Sequence, residues 1–297
     1  MNINTTYNHF KYGLTVELPK QTSKAQKAAL RALNRLSESI CQATKTFIHK
    51  TRRFASLMSY EMTALFKTSV TYPLFFINMN SPKAKLDNPD TTYPVIFVHG
   101  YLSNSSCFRP IRSKIQKDPT LKNHPLYFLN LPTTFQSIRK SAINLKYKIK
   151  KIQKITGCKK VILVGHSMGG IIASEYTQNH NNKNNVKEVI TVSSPVRGTK
   201  TSRFALGKSP KQMGRGCQFI ESLYKSSSQS PKAKYFNIGN NADWVIRPCT
   251  STIGDEPEDP NNNVYFDNIG HLGVLHHSKV ANKIIERIKN AHPITLN

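Results

Sequence analysis

The sequence predicts an α/β fold in which helices cover both faces of a mostly parallel sheet. From residue 93 onward, short apolar runs alternate with helical stretches, which is typical of β-α-β units. A glycine-rich turn at residues 165–170 lies between an apolar run and a helical stretch, as expected where a strand of such a sheet ends. The chain has 297 residues, of which 38% are hydrophobic, and this is enough for one large domain, alone or with an appendage.

The N-terminal region differs in pattern from the rest of the chain. Residues 1–88 predict a basic, largely helical extension, and residues 89–297 predict the sheet-containing domain. Between residues 20 and 67, apolar side chains recur near helical spacing with Lys and Arg between them. Residues 80–92 are polar and contain Pro and Asn, which is typical of a connector. A basic amphipathic helix of this kind either lies on an anionic membrane or packs against the domain that it precedes.

Six short apolar runs are the candidate strands of the sheet. They lie at Val95–Val98, Tyr127–Leu131, Val161–Val164, Val189–Val192, Tyr235–Ile238 and Val264–Phe266. An earlier strand is a further candidate at Leu74–Asn78. The predicted helices of the domain cover residues 108–117, 134–156, 168–179 and 276–290.

The charge balance is strongly basic. Lys and Arg total 43 against 16 Asp and Glu, so the formal net charge is +27. Such an excess favours anionic partners such as lipid headgroups. A composition bias on solvated faces explains it equally well, since the basic residues are spread along the whole chain. The basic segments lack the interleaved aromatic side chains of single-strand binders, so we expect no specific nucleic-acid partner.

The cysteines and the apolar segments bear on the compartment. Five scattered cysteines without a CxxC pair predict unpaired thiols or a reducing compartment, and they do not match a metal-site spacing. The N-terminus shows no apolar segment after a basic start, so no Sec signal peptide is predicted. Residues 57–79 are apolar, but Glu61, Lys67 and Pro73 make them a poor transmembrane helix. We therefore expect a cytoplasmic or peripheral-membrane protein, or one exported by a non-Sec route.

The motif Gly165-His166-Ser167-Met168-Gly169 is the strongest functional signal. Four apolar residues precede it and an apolar helical stretch follows it, which is the strand–turn–helix setting of a nucleophilic serine. The turn is tight, so the two outer glycines let the strand and the helix approach without side-chain clashes. Ser167 is therefore the predicted nucleophile, and the N-terminus of the helix points at the negative charge that its attack creates.

A serine nucleophile needs donors for the oxyanion of its tetrahedral intermediate. One predicted donor is the backbone N–H of Met168, the residue after the nucleophile. The other is the backbone N–H of Tyr101, in a loop that follows the apolar run ending at His99 and Gly100. Gly100 allows an unusual backbone direction. His99 is expected to shape this loop and not to act as the base.

The base is chosen among ten histidines. His166 lies inside the turn and cannot reach round to the hydroxyl of its neighbour. His271 follows the last apolar run, at the sheet edge where ligand sites of such folds lie, and is the favoured base. His276 and His277, at the start of the last helix, remain alternatives.

The third group is a carboxylate that orients the imidazole and stabilises its protonated form. Asp243 follows the preceding candidate strand and a polar loop, so it is the predicted acid. A second acidic cluster nearby is interpreted as a solvated loop; it comprises Asp255, Glu256, Glu258 and Asp259.

Five motifs together resemble the lipase/esterase branch of the α/β-hydrolase superfamily, which includes bacterial triacylglycerol lipases and related serine esterases. They are VIFVHGY at 95–101, VGHSMGG at 164–170, SSPVRGT at 193–199, ADWVIRP at 242–248 and GHLGVL at 270–275. The resemblance implies an α/β-hydrolase fold over roughly residues 93–290. It also implies Ser167, Asp243 and His271 as the catalytic triad, in the chain order of that superfamily, with the amides of Tyr101 and Met168 as the oxyanion hole.

The same resemblance places a lid-like insert at about residues 199–234. The insert is short and basic, and it offers few apolar side chains for the inner face of a lid: Phe204, Phe219, Ile220, Leu223 and Tyr224. A thin lid favours an esterase over a true lipase. No carboxylate pair for calcium is visible near His271, so we expect neither a metal nor another cofactor.

The leading functional hypothesis is hydrolysis of a carboxylic ester, in particular a lipid acyl ester, through an acyl-Ser167 intermediate. The basic extension would hold the enzyme on an anionic membrane, and Arg203, Lys208, Lys211 and Arg215 near the site would favour phospholipid. A thioesterase, an acyltransferase or an amidase would use the same residues. A third hypothesis is a non-catalytic hydrolase-fold module that binds an anionic membrane.

Overall fold

The computed structural model describes residues 24–71, 79–81, 85–131, 136–181, 183–246, 250–251 and 262–292. Contacts divide the chain into two compact units, Met1–Met58 and Ser59–Asn297. The domain boundary predicted near residue 88 stays a prediction. The candidate strand at Leu74–Asn78 and the acidic cluster at residues 255–259 lie outside the described residues.

Helices and strands alternate along the second unit as the sequence predicts. The strands are β1 (Val95–Val98), β2 (Leu126–Leu129), β3 (Val161–His166), β4 (Val186–Val192), β5 (Lys234–Asn240) and β6 (Asn263–Phe266). The helices are α1 (Lys24–Thr71), α2 (Arg109–Lys117), α3 (Ile138–Thr156), α4 (Met168–Glu175), α5 (Lys208–Gln212), α6 (Gln218–Gln229) and α7 (Ser278–Ala291).

The six strands form one sheet in the order β2-β1-β3-β4-β5-β6, and every neighbouring pair is parallel. The predicted parallel sheet is therefore confirmed. Each of the six apolar runs contributes to a strand, although the ends differ by up to three residues. For example, β4 begins at Val186 and not at Val189.

Helices bury both faces of this sheet. The hydrophobic core on one face joins the strands to α2 and α7, and the core on the other face joins them to α3, α4 and α6. Alternate residues of one strand belong to different cores, as Phe97 and Val98 do. A strand that is buried on both faces needs an apolar side chain at every position. This explains why β1 is a continuous apolar run, VIFV, with all four residues buried.

The ends of α3 show how local sequence sets the length of an element. The Ser137 side chain accepts a hydrogen bond from the Lys140 amide and so caps the start of the helix. Gly157 ends it in the left-handed conformation, with φ of 77°, which glycine adopts without a steric penalty. The predicted helix began at residue 134, before this serine cap.

The strand order places a crevice at the carboxyl ends of β1 and β3. β1 lies between β2 and β3, so the chain leaves it towards one edge of the sheet and returns on its other side. Open parallel sheets bind ligands at this kind of switch point, because the loops after the two strands diverge there. The loop at residues 99–101 follows β1, and Ser167 follows β3.

The long helix α1 has 48 residues and crosses the boundary between the two units. Its described part in the first unit exposes large apolar side chains, among them Leu36, Ile40, Phe47 and Phe54. Across the described residues, no helix combines the length and the apolarity that crossing a bilayer requires.

The insert at residues 199–234 is folded and contributes to the core. It contains a 3-10 helix at Thr201–Phe204, followed by α5 and α6. Phe219, Ile220 and Leu223 are buried in the core on one face of the sheet. These three residues were expected to form the inner face of a lid, and that expectation is wrong, because α6 uses them to pack on the domain. Phe204 is 77% exposed.

Candidate active site

The turn between β3 and α4 holds Ser167 in a strained conformation. Its φ is 53° and its ψ is −125°, which is unusual for a residue with a side chain and costs of the order of 1–3 kcal/mol. The Ser167 amide donates to the Val192 carbonyl at 2.9 Å, which anchors the turn to β4. A Cβ atom on Gly169 would lie 2.0 Å from the Val98 carbonyl oxygen. Only glycine therefore lets α4 approach β1 this closely.

A continuous chain of hydrogen bonds joins the three residues predicted to act together. The Ser167 Oγ atom lies 3.1 Å from Nε2 of His271. The Nδ1 atom of His271 lies 2.8 Å from Oδ2 of Asp243. The three residues are 76 and 28 positions apart in the chain, and the ends of β3, β5 and β6 bring them together.

The structure also distinguishes among the candidate bases. His271 is the candidate whose ring nitrogen lies within hydrogen-bonding distance of Ser167 Oγ, at 3.1 Å. The His277 side chain accepts a hydrogen bond from the Lys279 amide and caps the start of α7.

Asp243 is held as a carboxylate. Its Oδ1 atom accepts hydrogen bonds from the amides of Val245 and Ile246, at 2.9 and 2.8 Å. Burial works to raise the pKa of Asp243, but the neighbouring His271 and the two amides outweigh burial and hold the pKa below its ordinary value. The remaining oxygen is left to face the imidazole.

His271 is buried next to two negative charges. Burial works to lower its pKa, but the charge and hydrogen bond of Asp243, together with the charge of Glu61, raise the pKa above the ordinary 6.5. The Nδ1–H bond to Asp243 leaves Nε2 as the acceptor that faces Ser167. This imidazole can take a proton from the hydroxyl and remain stabilised as a cation.

Two further histidines line the site as neutral rings. Burial lowers the pKa of His166 to about 3 and the pKa of His99 to about 4. His166 Nε2 donates to the His271 carbonyl at 3.1 Å, which links the loop that carries His271 to the turn at Ser167. His99 donates from Nδ1 to the Gly100 carbonyl and accepts from the Leu131 amide. These contacts fit the loop-shaping role predicted for His99.

The loop after β1 passes directly over the serine. A Cβ atom on Gly100 would lie 3.0 Å from the Ser167 Cβ atom. Tyr101 is the next residue, and its hydroxyl donates to the Leu206 carbonyl at 2.7 Å. Met168 is the first residue of α4, so its amide has no acceptor within the helix. Met168 thus follows Ser167 directly, and Tyr101 follows the glycine that approaches Ser167; their role as oxyanion donors stays a prediction.

Backbone strain collects at this edge of the sheet. Among the described non-glycine residues with positive φ, four follow strands at the carboxyl end: Leu102, Ser167, Ser193 and Asn268. Such conformations persist where the surrounding structure holds them, and they concentrate at functional sites.

The comparisons with known proteins agree with this architecture. The family model described as alpha/beta hydrolase fold matches residues 93–216. The mature lipase BlEst2 of Bacillus licheniformis superposes with a TM-score of 0.56 at 18% identity, over 71% of this chain and 97% of that one. Lipase B of Aspergillus fumigatus also gives a TM-score of 0.56, at 16% identity, over 72% of this chain and 56% of that one.

The chain has the α/β-hydrolase fold. The predicted fold class and the resemblance to the α/β-hydrolase superfamily are thus confirmed. A relative in sequence, the lysosomal thioesterase PPT2-B of Xenopus laevis, is 32% identical over 114 residues. The matched segment covers 38% of this chain and spans 39% of the length of that relative.

Two residues of this α/β-hydrolase site were missed by sequence reasoning. Asn240, at the end of β5, is buried and donates to Ser193 Oγ at 2.8 Å and to Asp243 Oδ2 at 3.4 Å. Glu61, on α1, accepts hydrogen bonds from the loop that carries His271. The sequence did hold a signal for Glu61, because an acidic residue interrupts an otherwise apolar stretch at that position.

A cavity of about 280 Å³ adjoins the loop that follows Asp243. Trp244 and Val245, the two residues after Asp243, form one wall. Other lining residues belong to the insert and combine cationic and apolar side chains; they include Lys200, Arg203, Phe204 and Arg215. Within the described part of the chain, no cluster of three His, Cys, Asp or Glu side chains has a metal-binding arrangement.

Proposed function

We propose that this protein is a serine hydrolase that cleaves carboxylic esters through an acyl-Ser167 intermediate. The observation that carries the proposal is the hydrogen-bonded series of hydroxyl, imidazole and carboxylate, at 3.1 and 2.8 Å, in a strained turn at the sheet switch point. A hydroxyl is a weak nucleophile until an adjacent base removes its proton, and this geometry supplies such a base.

In the first step, Ser167 Oγ forms a bond to the carbonyl carbon of the ester while its proton moves to Nε2 of His271. The carbonyl π electrons move to oxygen and create an oxyanion. When the intermediate collapses, the bond to the leaving alcohol breaks and that alcohol takes the proton from Nε2. The acyl group remains on Ser167.

In the second step, water repeats the sequence. It gives a proton to Nε2 of His271 and attacks the acyl carbon, and the new tetrahedral intermediate then releases Ser167 Oγ, which recovers the proton. The free carboxylic acid leaves. Asp243 stabilises the imidazolium that forms in both steps, and the amides of Tyr101 and Met168 are the proposed donors to the oxyanion.

The test is turnover of nitrophenyl esters with acyl chains of graded length. We expect Ser167→Ala to lower kcat/KM by at least about 10⁴-fold. The matched control is Ser222→Ala on the exposed surface of α6, which keeps wild-type turnover. Labelling by a fluorophosphonate probe gives an independent readout, since it requires only an activated serine. Folded wild-type protein that neither turns over an ester nor takes up the probe would refute the proposal.

A thioester is the second candidate substrate. The partial match to a lysosomal thioesterase, 32% identical over 114 residues, favours it. The residues described above suit both reactions, because the acyl-enzyme is the same and only the leaving atom differs. Comparing kcat/KM for an acyl thioester with the oxygen ester of the same acyl chain decides between the two.

For the partner surface, we propose an anionic membrane that presents the ester. In the described part of α1, Ile40, Phe47 and Phe54 recur every seven residues and are 50%, 71% and 63% exposed. Basic residues flank this apolar stripe, and the chain carries a net charge of +27. An exposed apolar stripe between cationic side chains is the pattern of a helix that lies in a lipid headgroup region.

Vesicle sedimentation tests this partner. We expect binding to vesicles that contain phosphatidylglycerol and little binding to pure phosphatidylcholine, with a marked loss at high salt. The double variant Phe47→Ala/Phe54→Ala should weaken binding, because it removes apolar contact and leaves all charges in place. Binding that is equal for both lipids, or unchanged by salt, contradicts the proposal.

A further inference from the structure

The C-terminal part of α1 contributes a buried carboxylate to the histidine loop. Within the unit Ser59–Asn297, Glu61 is 6% exposed. Its Oε1 atom accepts from the Gly273 amide at 2.7 Å, and its Oε2 atom accepts from the Leu272 amide at 3.2 Å. The indole N–H of Trp244 lies 3.4 Å from the same Oε2 atom. One side chain thus bridges the residue after Asp243 and the two residues after His271.

The contact between Glu61 and this loop is close on both sides. A Cβ atom on Gly270 would lie 2.1 Å from the Glu61 Cδ atom. A Cβ atom on Gly273 would lie 2.6 Å from Glu61 Oε1 and 2.7 Å from the Tyr60 ring. Gly270 and Gly273, on either side of His271, therefore make room for α1. The glycines of the motif GHLGVL are explained by this packing.

We propose that Glu61 is a positioning residue for His271. The inference rests on the proposed function, since it assigns Glu61 to the base of that reaction. Two side chains hold the backbone of this loop by hydrogen bonds. His166 donates to the His271 carbonyl, and Glu61 accepts from the amides of the next two residues. Holding the backbone at both points sets the direction of the imidazole towards Ser167, and a misplacement of about 1 Å costs about 100-fold in rate.

The charge of Glu61 acts on the same imidazole. Among the described residues, three titratable groups face His271. Asp243 bonds its Nδ1 atom, and Glu61 lies on the other side of the loop. The third is the neutral ring of His166, whose centre lies 5.0 Å from that of His271. Both carboxylates favour the imidazolium that forms as the serine proton is taken. Loss of the Glu61 charge should therefore lower the pKa of His271, while a purely structural contact would leave it unchanged.

The experiment compares Glu61→Gln and Glu61→Ala in the full chain. Gln keeps the shape and one acceptor but loses the charge, and Ala loses both acceptors. The control is Glu38→Gln, which removes one negative charge from an exposed position of the same helix. The first readout is the pKa of His271 by NMR of histidine-labelled protein, with the resonance assigned from His271→Ala. The second is the pH profile of kcat and KM for a short nitrophenyl ester.

We expect the midpoint of His271 titration to move to lower pH in both Glu61 variants and to stay at the wild-type value in the control. For ester turnover, Glu61→Ala should lower kcat by up to about 100-fold and change KM little, with Glu61→Gln between it and wild type. Gly270→Ala should also reduce kcat, and by a smaller factor in the Glu61→Ala background, because the clash is then gone.

The two proposals fail separately. An unchanged His271 pKa in folded Glu61→Gln overturns the positioning role, whether or not the protein hydrolyses esters. The same conclusion follows if Gly270→Ala costs as much without the Glu61 side chain as with it. Absence of turnover and of fluorophosphonate labelling in wild type would instead remove the hydrolase proposal, while the titration still reports on Glu61 and His271.

Discussion

Replacing Asp243 by Asn removes a charge from the site while it preserves the shape of the side chain. The Oδ1 atom of Asp243 accepts two backbone amides, at 2.9 and 2.8 Å, and an asparagine carbonyl oxygen can keep both bonds. Its NH₂ group then occupies the place of Oδ2, 2.8 Å from Nδ1 of His271. Since this group is a donor, it requires Nδ1 to be the acceptor and moves the ring proton to Nε2.

The change of tautomer removes the proton acceptor that faces Ser167. A protonated Nε2 faces Ser167 and cannot accept the hydroxyl proton, so the base is lost without any displacement of atoms. A tautomer error of this kind lowers the rate by about 10⁴-fold in serine hydrolases of other folds. This corresponds to about 5 kcal/mol of transition-state stabilisation. The pKa of His271 should also fall, because the carboxylate that raises it is gone.

The assay is kcat/KM for a short nitrophenyl ester between pH 5 and pH 9. Asp267→Asn is the matched control, because it makes the same substitution at an exposed carboxylate that bonds only the surface residue Asn241 among its described contacts. We expect the control to match wild type within about twofold. Thermal unfolding of both variants checks that the loss of activity does not reflect loss of the fold.

An Asp243→Asn variant that is folded and retains activity within about tenfold of wild type would refute the reasoning. The hydroxyl would then be activated without the imidazole tautomer that the structure defines. A large loss in the Asp267→Asn control would be equally damaging, since it would trace the effect to charge in general.

Two further predictions concern pH and the core. The acidic limb of the pH profile of kcat/KM should have its midpoint above pH 6.5, because His271 acts as a base only when neutral and its pKa is raised. A midpoint below pH 6.5 would contradict the raised pKa that Asp243 and Glu61 give to His271. Arg287→Met should lower the free energy of unfolding by about 3–5 kcal/mol at pH 7, measured in urea, since it leaves the buried Glu188 carboxylate without its partner. Burial already raises the pKa of Glu188, and loss of Arg287 should raise it further. The variant should therefore lose less stability at pH 5, where Glu188 is more readily protonated, than at pH 7. An equal loss of stability at both pH values would show that the unpaired Glu188 charge is not the cause.

Local patterns were sufficient to predict the sheet and the tight turn that carries Ser167. The strands are continuous apolar runs because both faces of the sheet are buried, and that need is visible residue by residue. The turn at Ser167 is equally local, since its strain and its close approach to β1 require glycine at fixed offsets from the serine. Helix and strand ends were less accurate, because caps such as Ser137 depend on a single hydrogen bond.

The insert shows where composition misleads. Phe219, Ile220 and Leu223 have the apolar character expected for the inner face of a lid, yet all three are buried against the sheet. The same helical spacing would serve the inner face of a lid or a helix packed on the sheet. Only the position of α6 relative to the sheet decides which surface they cover, and no short-range pattern encodes that position.

The sequence by itself determined the parallel α/β architecture and the serine at its switch point, because both follow from side-chain periodicity and from backbone sterics within a few residues. The tertiary structure decided which histidine faces that serine and which carboxylate faces that histidine. His271 and His277 are six positions apart, and the difference between them is the path of one loop after β6. The tertiary structure also brings Glu61, 210 positions before His271, into contact with this loop. Such contacts depend on packing between distant segments, and neither segment carries the information alone.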